Sequence, residues 1–128
     1  TTVYDKASQV TASVNPLGKR TTTVYNNAGQ TTATVDPLGN RSTTVYDTSG
    51  RSSARVDALG ARTTTVYDKN RAVASIDALS NRWTSIFDNA GRTVASVDPL
   101  SHRTTTVYDN DGRVKATVDG VGSRTTNV

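Results

Sequence analysis

An aromatic residue returns at Tyr4, Tyr25, Tyr46, Tyr67, Phe87 and Tyr108, always 21 positions on except for one interval of 20. A second motif runs in the same phase, at Val14 to Gly18, Val35 to Gly39, Val56 to Gly60, Ile76 to Ser80, Val97 to Ser101 and Val118 to Gly122. A third is Gly50-Arg51, Gly91-Arg92 and Gly112-Arg113, with Gly29-Gln30 as a variant. Self-similarity at a period of this length marks one supersecondary unit per copy, stacked on its neighbours. The chain therefore reads as a single tandem array of about six copies over 1–128.

Each copy carries two turn signals. Asp47-Thr48-Ser49-Gly50 has Asp first and Gly fourth; Asp36-Pro37-Leu38-Gly39 adds a proline in second place. Asp bonds the turn backbone through its side chain, Pro presets φ, and Gly accepts a positive φ. Composition agrees: all 11 acidic residues are Asp, and Thr, Val and Ser fill the stretches between turns. Glu would favour helices, whereas β-branched residues favour a pleated surface. The expected unit is a β-hairpin with two strands per repeat. The expected fold is all-β, a repetitive antiparallel meander coiling as a spiral or solenoid sheet.

Parity gives a finer expectation. Let Asp face Arg across every turn: Asp47 and Arg51, Asp57 and Arg62, Asp98 and Arg103. The two loops are then unequal, three and four residues, and Tyr46 pairs with Ser52 while Val56 pairs with Thr63. Opposed residues share a face. One face reads Ser42, Thr44, Tyr46, Ser52, Ala54, Val56; the other reads Arg41, Thr43, Val45, Arg51, Ser53, Arg55. Tyr25 and Val35 fall on the same side. Trp83 replaces the usual Ser or Thr there. The short interval, Tyr67-Asp68-Lys69-Asn70-Arg71, loses its residue from the loop and leaves a two-residue turn. A loss inside a strand would turn every later side chain over. One copy offers an aromatic, a Val or Ile, an Ala and usually a Leu for burial, too little for a lone hairpin. The thin strip predicts a coiling sheet whose Tyr/Ala/Val face packs against itself or against a neighbouring turn of the spiral.

Tyr-Asp-x-x-Gly-Arg followed by x-x-Asp-Pro-Leu-Gly at this period resembles the RHS or YD repeat family. The signature is carried by the six aromatics together with Asp36, Pro37, Gly39, Gly50, Arg51, Gly91, Arg92, Gly112 and Arg113. Ser8-Gln9 departs from Gly-Arg in the first copy, and the fourth copy lacks the Gly. The resemblance implies a large spiralling β-shell of the kind found in bacterial polymorphic toxins, insecticidal toxin complexes and teneurins. It also implies a secreted or cell-surface location and a shell or adhesion role.

The residues themselves supply no catalytic constellation. His102, the sole histidine, sits in a loop without triad or metal partners. Asp109-Asn110-Asp111-Gly112 has too few oxygen ligands for calcium. Asp-Arg neighbours across turns read as rim ion pairs, and Asp36 and Asp98 before proline read as turn chemistry. Cysteine is absent, which excludes disulfides and thiolate metal sites. No cofactor, no metal and no enzymatic role is expected. Net charge is +4, from 15 basic and 11 acidic residues. A basic face carrying Arg51, Arg55 and Arg92 is the candidate surface for glycans or other polyanions. Nucleic acid is not expected, because the aromatics do not interleave with the arginines. Nor is a membrane span expected, since no apolar run reaches the roughly 18 residues required. Val3 and Val128 occupy equivalent positions, so the array reads as a segment of a longer repeat protein. Identical ends would allow head-to-tail addition into a filament.

Overall fold

The computed structural model describes residues 1–127; Val128, matched above to Val3, lies outside them. The described residues form strands and turns, with no helix. Contacts divide them into two units, Thr1–Thr64 and Thr65–Val128.

The first unit holds β1 (Thr2–Tyr4), β2 (Val10–Val14), β3 (Arg20–Tyr25), β4 (Thr31–Val35), β5 (Arg41–Tyr46), β6 (Ser52–Val56) and the start of β7 (Arg62–Asp68). The second holds the rest of β7, then β8 (Arg71–Ile76), β9 (Arg82–Phe87), β10 (Thr93–Val97), β11 (Arg103–Tyr108), β12 (Val114–Val118) and β13 (Arg124–Thr126). In each unit the strands lie in chain order, antiparallel to their neighbours. This is the two-strands-per-repeat hairpin array that the period and the turn residues predict.

The two turns of a repeat turn out to be the same turn. At the Gly-Arg end, the Asp47 N–H donates to the Arg51 carbonyl at 2.9 Å and the Gly50 N–H to the Asp47 carbonyl at 2.9 Å. At the Asp-Pro-Leu-Gly end, Asp36 N–H donates to the Asn40 carbonyl and Gly39 N–H to the Asp36 carbonyl, both at 3.0 Å. Both loops therefore span three residues, and Val56 pairs with Arg62, not with Thr63. The odd residue of the 21 sits in a bulge instead. Tyr46 pairs with Ser52, but Val45 pairs with Ala54, leaving Ser53 extra. Thr11 and Thr32 are the extra residues in the other hairpins of this unit. Val94 and Lys115 hold that place in the second unit.

The bulge overturns the expected faces. Ala54 and Val56 share their side with Val45 and Thr43, and Arg41 opposes Val35 on that side too. Ser42, Thr44 and Arg55 stand on the other side. Tyr25 and Val35 thus fall on opposite faces, because Val35 opposes Thr22. A bulge opposes two residues to one, so it reverses parity within the ladder, which equal loops alone cannot do.

The core is one small residue deep. Ala12, Ala33 and Ala54 in the first unit, and Ala74, Ala95 and Ala116 in the second, are the buried hydrophobic residues, at 0–7% exposure. Each sits between longer side chains: Ala33 between Val24 and Thr43, Ala95 between Ile86 and Thr105. Two β-branched neighbours on adjacent strands are enough to cover a methyl group. The expected burial of the turn leucines does not occur: Leu17, Leu38, Leu59, Leu79 and Leu100 are 76–94% exposed. Proline or alanine in second place and glycine or serine in fourth turn the third residue outward, away from both faces.

Candidate functional site

Of the signature residues, the aromatics and the Gly-Arg pairs lie at the Gly-Arg edge, whereas Asp36, Pro37 and Gly39 belong to a turn of the opposite edge. At the Gly-Arg edge an Asp or Asn is the keystone of each turn. Asp47 Oδ1 accepts the Ser49 and Arg51 N–H groups at 2.9 and 3.0 Å, while Oδ2 takes the Arg51 Nε at 2.8 Å. Asp88 does the same with Arg92, whose Nε lies 2.7 Å away. Asn26 replaces the carboxylate in an earlier copy and accepts Ala28 and Gln30 N–H groups at 3.0 Å. Gly50 and Gly91, fourth in their turns, have φ of +78° and +85°, which an L side chain rarely adopts.

Next, each hairpin is fastened to the one before it. The Tyr25 hydroxyl donates to the Val10 carbonyl at 3.0 Å, and Tyr46 to the Thr31 carbonyl at 2.9 Å. In the second unit Tyr108 donates to the Thr93 carbonyl at 2.9 Å. Phe87 has no proton to give. Over these rings and turns lies the residue that follows the preceding hairpin's turn, after Asn70 or Gly91. Arg71 stands 4.5 Å from the Phe87 ring centre, and Arg92 stands 4.5 Å from that of Tyr108. The same guanidinium groups occupy the space a side chain at Gly91 or Gly112 would need. In the first unit the amide of Gln30 reaches the Gly50 carbonyl at 2.7 Å. The aromatic and the arginine sixteen residues before it are thus two halves of one joint between copies.

Between successive Gly-Arg turns lie shallow grooves. One of about 680 Å³ is lined by Lys69, Asn70, Arg71, Val73, Ser85 and Phe87, beside the shortened two-residue turn. Another, of about 460 Å³, lies over Gln9, Thr11 and Tyr25. No group of three or more His, Cys, Asp or Glu residues suited to a metal is found among the described residues. His102 Nδ1 meets Asp98 Oδ2 at 2.9 Å on the opposite edge, with no third member. Arg113 bonds Asp111 beside Asp109, where calcium ligands would have to gather. Among the described residues no helix is long and apolar enough to cross a membrane.

Electrostatics follow the keystones. Asp47 and Asp88 are held below the usual carboxylate range, first by the backbone N–H groups of Arg51 and Arg92 and then by their guanidinium groups. Asp36, Asp77 and Asp98 are lowered first by the side chains of Asn40, Asn81 and His102. Hydrogen bonds to the ionised form are the cause in every case, opposed by partial loss of solvent. The three candidate glycan-face arginines are not together. Arg51 and Arg92 belong to turns, while Arg55 is exposed on the hydroxyl face between Thr44 and Thr63. In the second unit Trp83 opposes Ser75 and is 45% exposed. Sequence reasoning missed the joint itself. The ordered pairing of Gly with Arg, and of Gly with Gln, was the available signal.

Residues 4–41 match the family model described as RHS Repeat. That match covers less than a third of the chain. Comparison with curated proteins gives no match. Among solved structures, the Tc holotoxin pore of Photorhabdus luminescens superposes with a TM-score of 0.65 at 12% identity, over 91% of this chain and 6% of that one. This array thus shares the fold of the matched part of that chain and spans 6% of its length. Two TcdB2-TccC3 crystal structures align with TM-scores of 0.40 and 0.31, at 12% and 11% identity, over 77% and 98% of this chain and 7% and 12% of theirs. Nothing about the fold rests on those two.

Proposed function

We propose that this array is a non-enzymatic wall segment of a large extracellular β-shell or cell-surface fibre. The observation that carries the reading is the joint: each copy donates an aromatic and receives an Arg or Gln, so copies add without limit in one direction. A catalytic module needs a pocket with converging polar groups; here the recurring side chains are spent on fastening. Further repeats of the same polypeptide, or identical chains added head to tail, extend the ladder at edge strands such as β1 and β13. Electron microscopy of the parent polypeptide tests this. A hollow particle or a thread of uniform width is expected. A compact globule with a filled interior refutes the wall. Recovery of the protein inside the cell alone refutes the extracellular location.

A second reading, glycan binding, has one observation in its favour. Arg55 stands exposed among hydroxyls, with a cation to meet an acidic sugar and Thr44 and Thr63 to meet its hydroxyls. A salt-sensitive glycan-array signal that disappears in Arg55→Ser is the result expected. A signal unchanged by that substitution removes Arg55 from the site.

A further inference from the structure

The turn leucines are exposed and stand in a row within each unit. In the first unit Leu17, Leu38 and Leu59 cap successive turns of one edge, one for every two strands. Strands lie about 4.8 Å apart, so the row repeats at about 9.6 Å. In the second unit Leu79, Leu100 and Val121 do the same. Charge alternates along this edge with the same period, because every second strand ends in Asp or Asn and the next begins with Arg. In chain order the first unit shows Asn15, Arg20, Asp36, Arg41, Asp57, Arg62; the second shows Asp77, Arg82, Asp98, Arg103, Asp119, Arg124. All six arginines are exposed.

We infer that this edge is a self-complementary docking surface whose occupant is a second copy of the chain, related by a two-fold axis through Leu38 or, in the second unit, through Leu100. The register is fixed by the order of residues. A two-fold at Leu38 sets Leu38 against Leu38 of the second copy and Leu17 against Leu59. The same operation brings Asp36 to Arg41 of the second copy and Asp57 to Arg20. In the second unit Asp98 meets Arg103, Asp77 meets Arg124 and Asp119 meets Arg82. Pairing the edges with both copies running the same way fails. It sets Asp against Asp when the leucines meet, and separates the leucines by one strand when the charges match. One arrangement satisfies both rows, which is the isologous contact of a cyclic dimer. A partner without this period could engage one leucine but not three. Three leucines a side make a patch smaller than a standard interface. The dimer is therefore weak and concentration-dependent, and it strengthens with added copies through avidity. It is a lateral contact, independent of whether the array closes into a shell or runs as a fibre.

The absence of native cysteine makes the geometry directly testable in the whole 128-residue chain. Under mild oxidation Leu38→Cys and Leu100→Cys are expected to form homodimers linked at their own position. Leu59→Cys alone is expected not to, yet to link with Leu17→Cys when the two are mixed. Sedimentation velocity across the micromolar to millimolar range is expected to show a monomer–dimer equilibrium. In Leu38→Ser/Leu100→Ser its dissociation constant rises roughly tenfold or more, since central anchors dominate such contacts. Circular dichroism should show the variant folded, as both leucines are exposed. A wild-type chain that stays monomeric throughout overturns the inference. So does cross-linking of Leu59→Cys as efficient as that of Leu38→Cys, or a dimer indifferent to the double serine variant.

Discussion

The two units share a backbone plan and differ in the chemistry that fastens it. In the first, the extra bulge residue is Thr11, Thr32 or Ser53, and its hydroxyl donates to the carbonyl of Val3, Val24 or Val45 at 3.2–3.3 Å. Two of its turn keystones are neutral, Asn15 and Asn26, and Gln9 and Gln30 lie over the glycines of the next copy. In the second unit Val94 and Lys115 take the bulge position, the keystones are aspartates, and Arg71 and Arg92 cover glycine and ring together. What does not vary is the alanine file, the third-place leucine or valine and the left-handed fourth residue. The fold is thus specified by small residues and turn conformations, while the fasteners are exchangeable between neutral hydrogen bonds and cations.

If that division is right, damage to the shared part costs both units alike. Ala33→Leu in the first and Ala95→Leu in the second each force extra methylenes into a slot walled by β-branched neighbours. The expected loss is about 1–3 kcal/mol at either site. Urea titration measures it, with Trp83 fluorescence reading the second unit because no other tryptophan is present. A large cost at one site and none at the other would break the comparison.

Acid should then separate the units. Asp77, Asp88 and Asp98 have folded pKa values below their ordinary one, so they stabilise the fold fully above the unfolded value of about 3.9. That contribution is lost as pH falls through the lower folded value. Asn15 and Asn26 do not titrate. Amide NMR below that pH is expected to show the Asn81, Arg92 and His102 turn N–H groups losing protection before those of Lys19 and Gln30. Asp36 and Asp47 in the first unit are lowered too and should follow the second unit's aspartates. Simultaneous loss at all turns would mean that the keystone's charge is immaterial.

A smaller effect sharpens the role of the fourth turn residue. Ser80 and Ser101 carry φ of +68°, where sister copies have Gly18, Gly39 and Gly60. A left-handed conformation costs an L residue about 1–2 kcal/mol. Ser80→Gly and Ser101→Gly should each recover about 1 kcal/mol in thermal or urea unfolding, and Gly39→Ser should cost a similar amount. No change in any of the three would show that the turn is held by the Asp carboxylate alone.

Much of this was legible in the order of residues. The period, the hairpin, the Asp and Gly positions and the shortened Lys69-Asn70 turn all follow from local rules about φ and side-chain bonding. The faces did not. An odd repeat must place its unpaired residue somewhere, and a four-residue loop and a three-residue loop plus a bulge have the same length. Only the hydroxyls of Thr11, Thr32 and Ser53, set to cap a carbonyl freed by a bulge, hinted at the second solution, and Val94 and Lys115 erase the hint. The leucines misled for a related reason. Hydrophobicity says what would gain from burial, while the direction of the third turn residue is a matter of backbone geometry that residue identity does not report. The joint was hidden because its halves lie sixteen residues apart, as with Arg92 and Tyr108, and meet only after the register is known.

The finest test falls on the copy whose aromatic carries no hydroxyl, Phe87. Tyr25, Tyr46 and Tyr108 each donate to the carbonyl fifteen residues earlier. For Phe87 that carbonyl belongs to Ala72, and Arg71 above the ring is the remaining hold. Phe87→Tyr supplies the missing donor on an unchanged ring, so the cation contact persists and one hydrogen bond is added. A net gain of about 0.5–1.5 kcal/mol is expected. The gain should survive in Arg71→Gln, because the two holds act on different parts of the ring. Were Phe87→Tyr neutral or harmful, the hydroxyl in the sister copies would be a consequence of strand placement and not a cause of it. The second unit's reliance on cations would then need no missing hydrogen bond to explain it.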